Sequence, residues 1–201
     1  MGKAYTEEER NKIRTQLLDA GLELFYEGVR KISIRELTKR AGIAQGGFYT
    51  FFSDKDDLVM ELICYRNEQK MRLIEKQFHQ ALDDPILFVS EAILHISWDL
   101  RQKAEKNQMY ADIFGLCINN QLSAQEKLYA QVDITLQHLS DYWSNHDLSV
   151  TLDRRGVINV IKGTLILYAN LDLIDEQYSE ALLRTFISEN CKRYIQRNDT
   201  E

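Results

Sequence analysis

The stretch Ser33–Lys55, SIRELTKRAGIAQGGFYTFFSDK, decides the fold. It reads as two short helices, about 33–40 and 44–51, on either side of Ala41-Gly42-Ile43. Gly42 supplies the left-handed backbone conformation that a tight turn between helices requires. Ile34, Leu37, Ile43, Phe48 and Phe52 form a miniature core with a helix ahead of them, which leaves Arg35, Gln45 and Tyr49 facing outward. The second short helix begins with small residues, so its backbone can enter a DNA major groove closely and set N-terminal side chains against base edges.

Outward from this stretch the chain reads as helix almost throughout. There is a single proline, Pro85, in 201 residues, and no strand-like alternation with Asn-Gly or Asp-Gly turns. Thr6-x-x-Glu9, Ser33-x-x-Glu36 and Ser123-x-x-Glu126 read as capping boxes, Ser53-x-x-Asp56 as a shorter version, and Asp84 as an N-cap ahead of Pro85. The first helix, about 7–27, carries Ile13, Leu17, Gly21, Leu24 and Phe25 on one face and stops at Gly28. After the two short helices come a long one, about 54–81, and five more, about 85–104, 107–119, 123–145, 152–171 and 176–196. The expected fold is all-α with about nine helices. A three-helix, helix-turn-helix DNA-binding domain spans 1–53, and a larger helical domain spans 54–201.

The net charge is −6, unfavourable for nucleic acid as a whole, but it is unevenly spread. Residues 1–53 hold nine Lys/Arg against seven Asp/Glu, and residues 54–201 hold sixteen against twenty-four. The N-terminal quarter is therefore the natural place for phosphate contacts, with the acidic bulk turned away. Cys64, Cys117 and Cys191 are far apart and odd in number, as expected of reduced, buried thiols. The polar start MGKAYTEEER lacks an apolar signal core and no run is long enough to span a bilayer, so a cytoplasmic protein with no membrane partner is expected.

The first helix of the type LLDAGLELFYEGV, followed by SIRELTKRAGIA and GGFYTFFSDKDDL, resembles the TetR family of bacterial regulators over roughly residues 8–60. The rest agrees in length and helical character. The resemblance implies a dimeric transcriptional regulator, commonly a repressor, released from a near-palindromic double-stranded operator by a small-molecule effector. Carried over position by position, it implies base reading by Arg35 and Gln45, with Arg favouring guanine and Gln adenine. It implies phosphate contacts from Ser33, Tyr49 and Lys55, an additional contact from Thr50, and close backbone approach at Gly46. Lys55 would be helped by the helix terminus it begins. The sequence departs from the family pattern at Thr38, Gly47 and Phe51, which stand where Ala, Thr and a polar or His residue are usual.

In the larger domain His95, Trp98, Tyr110, Phe114, Cys117, Tyr129, His138, Trp143 and Tyr168 are large enough to line a cavity; taken singly, each reads better as core. The resemblance implies a ligand site here, for which His95, Trp98, Tyr110, Phe114, Cys117, Tyr129, Trp143 and Tyr168 are the candidates. Two stripes at helical spacing near the end include Val160, Gly163 and Thr164, then Leu183, Phe186, Ile187 and Tyr194. They suit either packing within one subunit or an isologous four-helix interface, and the resemblance favours the homodimer. No phosphate loop, nucleophile elbow or metal-ligand cluster is present in the sequence, so no enzyme activity, cofactor or metal is expected. Two alternatives stay open: control by a protein partner instead of a small ligand, and an all-α enzyme whose His and carboxylate side chains meet only in space.

Overall fold

A computed structural model describes residues 5–26, 33–118 and 122–198. The fold is all-α. Its α-helices are α1 (Glu7–Tyr26), α2 (Ile34–Arg40), α3 (Lys55–Glu75), α4 (Pro85–Ala104), α5 (Gln108–Ile118), α6 (Leu122–Asn145), α7 (Arg154–Ala169) and α8 (Glu176–Tyr194). The third of the nine expected helices is a 3-10 helix, Gln45–Thr50. Packing divides the chain into two compact units, residues 1–67 and 68–201, a division that falls within α3, whereas the 53/54 expected from sequence precedes that helix. The reason is local: Leu58 and Leu62 of α3 are buried in the first unit, where the Leu62 side chain fills the space a Cβ on Gly21 of α1 would occupy.

In the first unit the core consists of Leu17, Leu18, Leu24 and Phe25 of α1, Leu37 of α2, Phe48 and Phe52, and Leu58 and Leu62. Thr6 and Glu9 close the expected capping box, each backbone N–H donating to the other side chain at 2.9 and 3.2 Å. The expected stop at Gly28 lies outside the described residues. Ser33 sits at the N-cap of α2 with extended backbone, but its hydroxyl makes no capping bond, and Glu36 pairs with Arg40 instead. At the start of α3 the expected Ser53–Asp56 box is replaced by Asp54, which accepts the Asp57 N–H at 2.8 Å, while Asp57 accepts the Ser53 N–H and O–H.

The second unit is built around Trp143, Phe78, Val89, Ile93, Leu139, Val157, Val160, Ile187, Cys191 and Ile195. The long helix expected over 54–81 ends at Glu75. The chain tightens into a 3-10 turn, Phe78–Leu82, which buries Phe78 against the rings of Phe88 and Tyr142. Leu73 is exposed, whereas Ile74 lies against this core. α4 starts as its sequence dictates, with Asp84 accepting the Leu87 N–H at 2.9 Å and Pro85 in the first turn. The side chain of Ser123, expected to cap α6, lies outside the described residues.

Two short strands, three residues each, are added to the all-α frame. β1 (Val150–Leu152) pairs antiparallel with β2 (Ile195–Arg197), Leu152 opposite Ile195, so that α7 and α8 are tied at the end where one begins and the other finishes. The Asp153 N–H donates to the Tyr194 carbonyl at 2.8 Å, and the Asp153 carboxylate caps α7 at Gly156.

Within the protomer the stripes of α7 and α8 pack on each other in part. Val160, Thr164, Leu183 and Ile187 are buried within the protomer. Gly163 accommodates the Phe186 ring, and Gly156 the Tyr194 ring. A Cβ on Gly163 would lie 2.7 Å from Phe186 Cζ, and one on Gly156 2.2 Å from Tyr194 Cδ1. These residues hold the two helices of one chain together, because the face that periodicity marks as apolar is used up by the nearer partner.

Candidate nucleic-acid interface and effector cleft

α2 ends in a turn that sequence and geometry explain together. The N–H groups of Ala41, Gly42 and Ile43 donate back to the carbonyls of Leu37, Lys39 and Thr38 at 3.0, 3.2 and 2.9 Å. Gly42 takes φ +69°, the left-handed region, with open space around it. Thr38, a departure from the family pattern, is buried, and its hydroxyl donates to the Ile34 carbonyl at 2.8 Å. It is thereby satisfied inside α2.

The 3-10 helix is held from beneath. Phe48 is fully buried and packs on Phe52 with ring centroids 5.5 Å apart; Tyr49 meets Phe48 edge to face at 5.3 Å. Each buried phenyl ring contributes roughly 1.5–3 kcal/mol. Tyr49 remains 62% exposed. Phe51, another departure, is half-buried against Tyr5, with the Arg10 guanidinium 5.9 Å from its ring centroid, and Arg10 also donates to the Thr50 carbonyl at 3.3 Å. A polar residue replaced by Phe51 has thus become an anchor between α1 and the 3-10 helix.

All seven side chains or positions singled out for nucleic acid are solvent-exposed: Ser33, Arg35, Gln45, Gly46, Tyr49, Thr50 and Lys55. A Cβ on Gly46 would meet nothing within 4 Å, so the backbone there is open to approach from outside. Gly47 lies beside Ile43, without a side chain to offer a polar contact. At the start of α3 the Asp57 amide is already taken by Asp54, and Asp56 and Asp57 occupy the first turn. The first-turn carboxylates oppose an anion at that end, and the exposed cation there is Lys55.

The second unit contains a cleft of about 720 Å³ between α4, the end of α7 and α8. It brings together three of the eight expected ligand residues, His95, Trp98 and Tyr168. Trp98 stands edge-on to Tyr168, with centroids 6.0 Å apart. The Tyr168 hydroxyl is buried with no hydrogen-bond partner among the described residues. Burial pushes its pKa up to about 12 against the opposing pull of Arg101 and Arg184.

The other five candidates do not line this cleft. Tyr110, Phe114 and Cys117 lie on α5, and the Lys103 ammonium is 5.6 Å from the Tyr110 ring centroid. Tyr129, buried on α6, has the Lys162 ammonium 4.6 Å from its ring centroid, and burial with the neighbouring Cys117 thiol holds its hydroxyl well above the ordinary phenol range. Trp143 is wholly buried, its indole N–H donating to the Ala81 carbonyl at 3.0 Å, which makes it part of the core. His138, also considered, is exposed on α6 and pairs with Glu75 at 2.7 Å.

Sequence reasoning did not find the cleft's charged members. Arg101 bridges Glu105 and Asp172, at 3.2 and 3.3 Å, and also donates to the Tyr168 carbonyl. Arg184 bridges Glu91 and Glu180, each at 2.9 Å. Only the i,i+4 halves of these pairs, Arg101–Glu105 and Glu180–Arg184, carry a local signal.

Residues 17–62 match the family model described as bacterial regulatory proteins, tetR family. The HTH-type transcriptional regulator AcrR of Shigella flexneri is 29% identical over 114 residues, covering 56% of this chain and 53% of the relative, so the match spans about half of that relative's length. The HTH-type transcriptional regulator SrpR of Pseudomonas putida is 24% identical over 182 residues, covering 86% of this chain and 81% of the relative. In fold the chain is similar to the crystal structure of Thermus thermophilus FadR, a TetR-family transcriptional repressor in complex with lauroyl-CoA, with TM-score 0.57, 12% identity, and 89% and 91% of the two chains covered. Among the described residues no helix is long and apolar enough to cross a membrane, and no three side chains are grouped to hold a metal ion. The turn at Gly42, the 3-10 helix seated on Phe48 and Phe52 and the matches to HTH-type regulators lead to one assignment: residues 17–62 form a helix-turn-helix domain of the tetR family of bacterial regulatory proteins, followed by an all-α unit.

Proposed function

We propose that the chain is a cytoplasmic, non-enzymatic transcriptional repressor that binds a near-palindromic DNA operator as a homodimer and releases it when a small molecule occupies the α4–α7–α8 cleft. The observation that carries this reading is the exposed row Gln45, Gly46, Tyr49 and Thr50 on a short helix whose buried side, Phe48 and Phe52, is fixed. A rigid backing lets exposed polar groups meet base edges in one register. In this reading Gln45 and Arg35 read bases, while Ser33, Tyr49, Thr50 and Lys55 hold phosphates. The Ser33 hydroxyl, unused as a cap, is free for that role. AcrR and SrpR, both named as transcriptional regulators, support the regulatory assignment.

For dimerisation the supporting surface is the outward side of α7 and α8, where Ile166, Tyr178 and Leu182 are exposed, together with Leu173 between the helices. An isologous contact repeats each of these residues on both subunits. Ligand control requires that the effector prefer the conformation that does not bind DNA; equal affinity for both conformations shifts nothing. That FadR was crystallised with lauroyl-CoA supports a ligand-responsive reading over control by a protein partner.

The test is selection of a binding site from random duplexes by the full chain, followed by titration of variants. Gln45→Ala is expected to lose ~1–3 kcal/mol at one base pair and to relax preference there. Lys55→Ala is expected to weaken all duplexes alike and lower the salt slope by about one phosphate's worth. Failure to select any sequence, or equal losses on selected and random DNA for every variant of Arg35 and Gln45, overturns sequence-specific binding through this helix.

A further inference from the structure

We infer that the α4–α7–α8 cleft selects an organic cation with an aromatic or branched apolar body. This rests on the ligand-controlled reading above and names the ligand class that the cleft's own chemistry favours. Four carboxylates line the cleft, Glu105, Asp172, Glu176 and Glu180, against two guanidinium groups, Arg101 and Arg184. Each arginine already holds two carboxylates, Arg101 with Glu105 and Asp172, and Arg184 with Glu180 and, from outside the lining, Glu91. The guanidinium charges are thus spent on the protein's own acids, and a carboxylate surplus remains facing the cavity. The N-terminus of α8, the other feature that would attract an anion, is covered by the Asp175 cap and by Glu176 in the first turn.

The second observation is independent of the acidic residues. Tyr168 is 1% exposed, its hydroxyl has no partner among the described residues, and the residue lines the cleft. A phenol oxygen left without a partner there can accept a hydrogen bond from a ligand. Trp98, half-exposed beside it, offers an indole face, the ring best suited to a cation. Leu94, Leu171, Ile174 and Leu183 complete an apolar floor. A cavity of about 720 Å³ is within the size range of drug-like ligands. An aromatic face, an acceptor oxygen, surplus carboxylates and an apolar floor are jointly complementary to a hydrophobic cation and repel an anion of equal shape.

The experiment is calorimetric titration of the full chain with tetraphenylphosphonium and with its near-isosteric anion, tetraphenylborate. The phosphonium is expected to bind at least tenfold more tightly. Trp98→Ala should weaken phosphonium binding severalfold, and Glu176→Gln, an exposed change, should narrow the preference without loss of helical content. Absence of phosphonium binding, equal or tighter borate binding, or a preference indifferent to both variants overturns the inference. Operator affinity is measured in parallel to separate the two readings. Phosphonium that binds selectively in the cleft yet leaves the operator complex intact refutes ligand control and leaves the cation site standing. Release of the operator by the anion instead refutes the cation class and leaves ligand control standing.

Discussion

Gly156→Ala tests the packing of α7 on α8, because two well-understood effects oppose each other there. In an exposed helix this change stabilises by up to ~1 kcal/mol, alanine being the better helix former. At this position the new methyl would lie 2.2 Å from Cδ1 and 2.5 Å from Cγ of Tyr194. Cγ does not move when the ring turns about Cβ–Cγ, so reorienting the ring alone cannot clear the clash, and either the Tyr194 side chain must leave its rotamer at χ1 or the backbone of α8 must move. That backbone is pinned, since the Tyr194 carbonyl accepts the Asp153 N–H and β2 follows at once. Overpacking of this kind costs ~1–3 kcal/mol or more, which leaves a net loss of about 1–2 kcal/mol. Urea unfolding is followed by the fluorescence of Trp143, buried in the same unit, in a Trp98→Phe background at fixed protein concentration. In a Tyr194→Ala background the sign should reverse and Gly156→Ala should stabilise, since only the helix term survives. A Gly156→Ala protein as stable as the parent, or a double variant showing no coupling, would refute the reasoning.

Other changes probe different parts of the molecule. Gly42→Ala places a Cβ at φ +69° with room around it, so the cost is backbone strain alone, ~1–2 kcal/mol, read as a lower thermal midpoint of the first unit. Asp99 is held below the ordinary carboxylate range: burial works upward on it, but the ammonium groups of Lys103 and Lys70 outweigh burial. Its contribution is therefore present above the unfolded carboxylate pKa and lost as pH falls through the folded one. Asp99→Asn should cost about 0.5 kcal/mol at neutral pH, a partly exposed group being screened, and flatten the acid limb of stability against pH. Trp143→Phe leaves the Ala81 carbonyl without its indole donor and opens space in the core, for a loss of ~2–4 kcal/mol by denaturant unfolding.

The sequence reveals the elements that announce themselves locally. Gly42 between two apolar-faced segments, Thr6 with Glu9, and Asp84 before Pro85 each satisfy backbone groups within a few residues, so residue type and spacing suffice. Two misreadings, and one choice that periodicity leaves open, have a shared cause in contacts distant along the chain. The helix expected to run to residue 81 stops because Phe78 turns inward to Phe88 and Tyr142, the latter more than sixty residues away. β1 and β2 are three residues each, too short for alternation to register, and they exist because α7 and α8 bring them together. The stripes holding Val160 and Leu183 mark buried faces correctly, but periodicity does not say whether the covering helix belongs to the same chain. The exposed set proposed to contact DNA stands out because its neighbours Phe48 and Phe52 are plainly core; the cleft does not, because Arg101 and Asp172 meet only in three dimensions.

The β1–β2 ribbon has a mechanical consequence for the pair of helices it joins. Ordinarily the last turn of a terminal helix frays, because its final carbonyls have only water for partners. Here the end of α8 runs directly into a strand stitched to the residues just ahead of α7, and Asn198 adds a further bond to the Ser149 carbonyl at 2.9 Å. Residues 149–198 therefore form a loop buckled at its own ends, and the buckle opposes sliding of one helix along the other more than it opposes bending. Amide exchange in the last turn of α8 should be slower than at its first turn, an inversion of the usual gradient toward a chain terminus, and any movement of these helices should occur as a shared tilt about the ribbon.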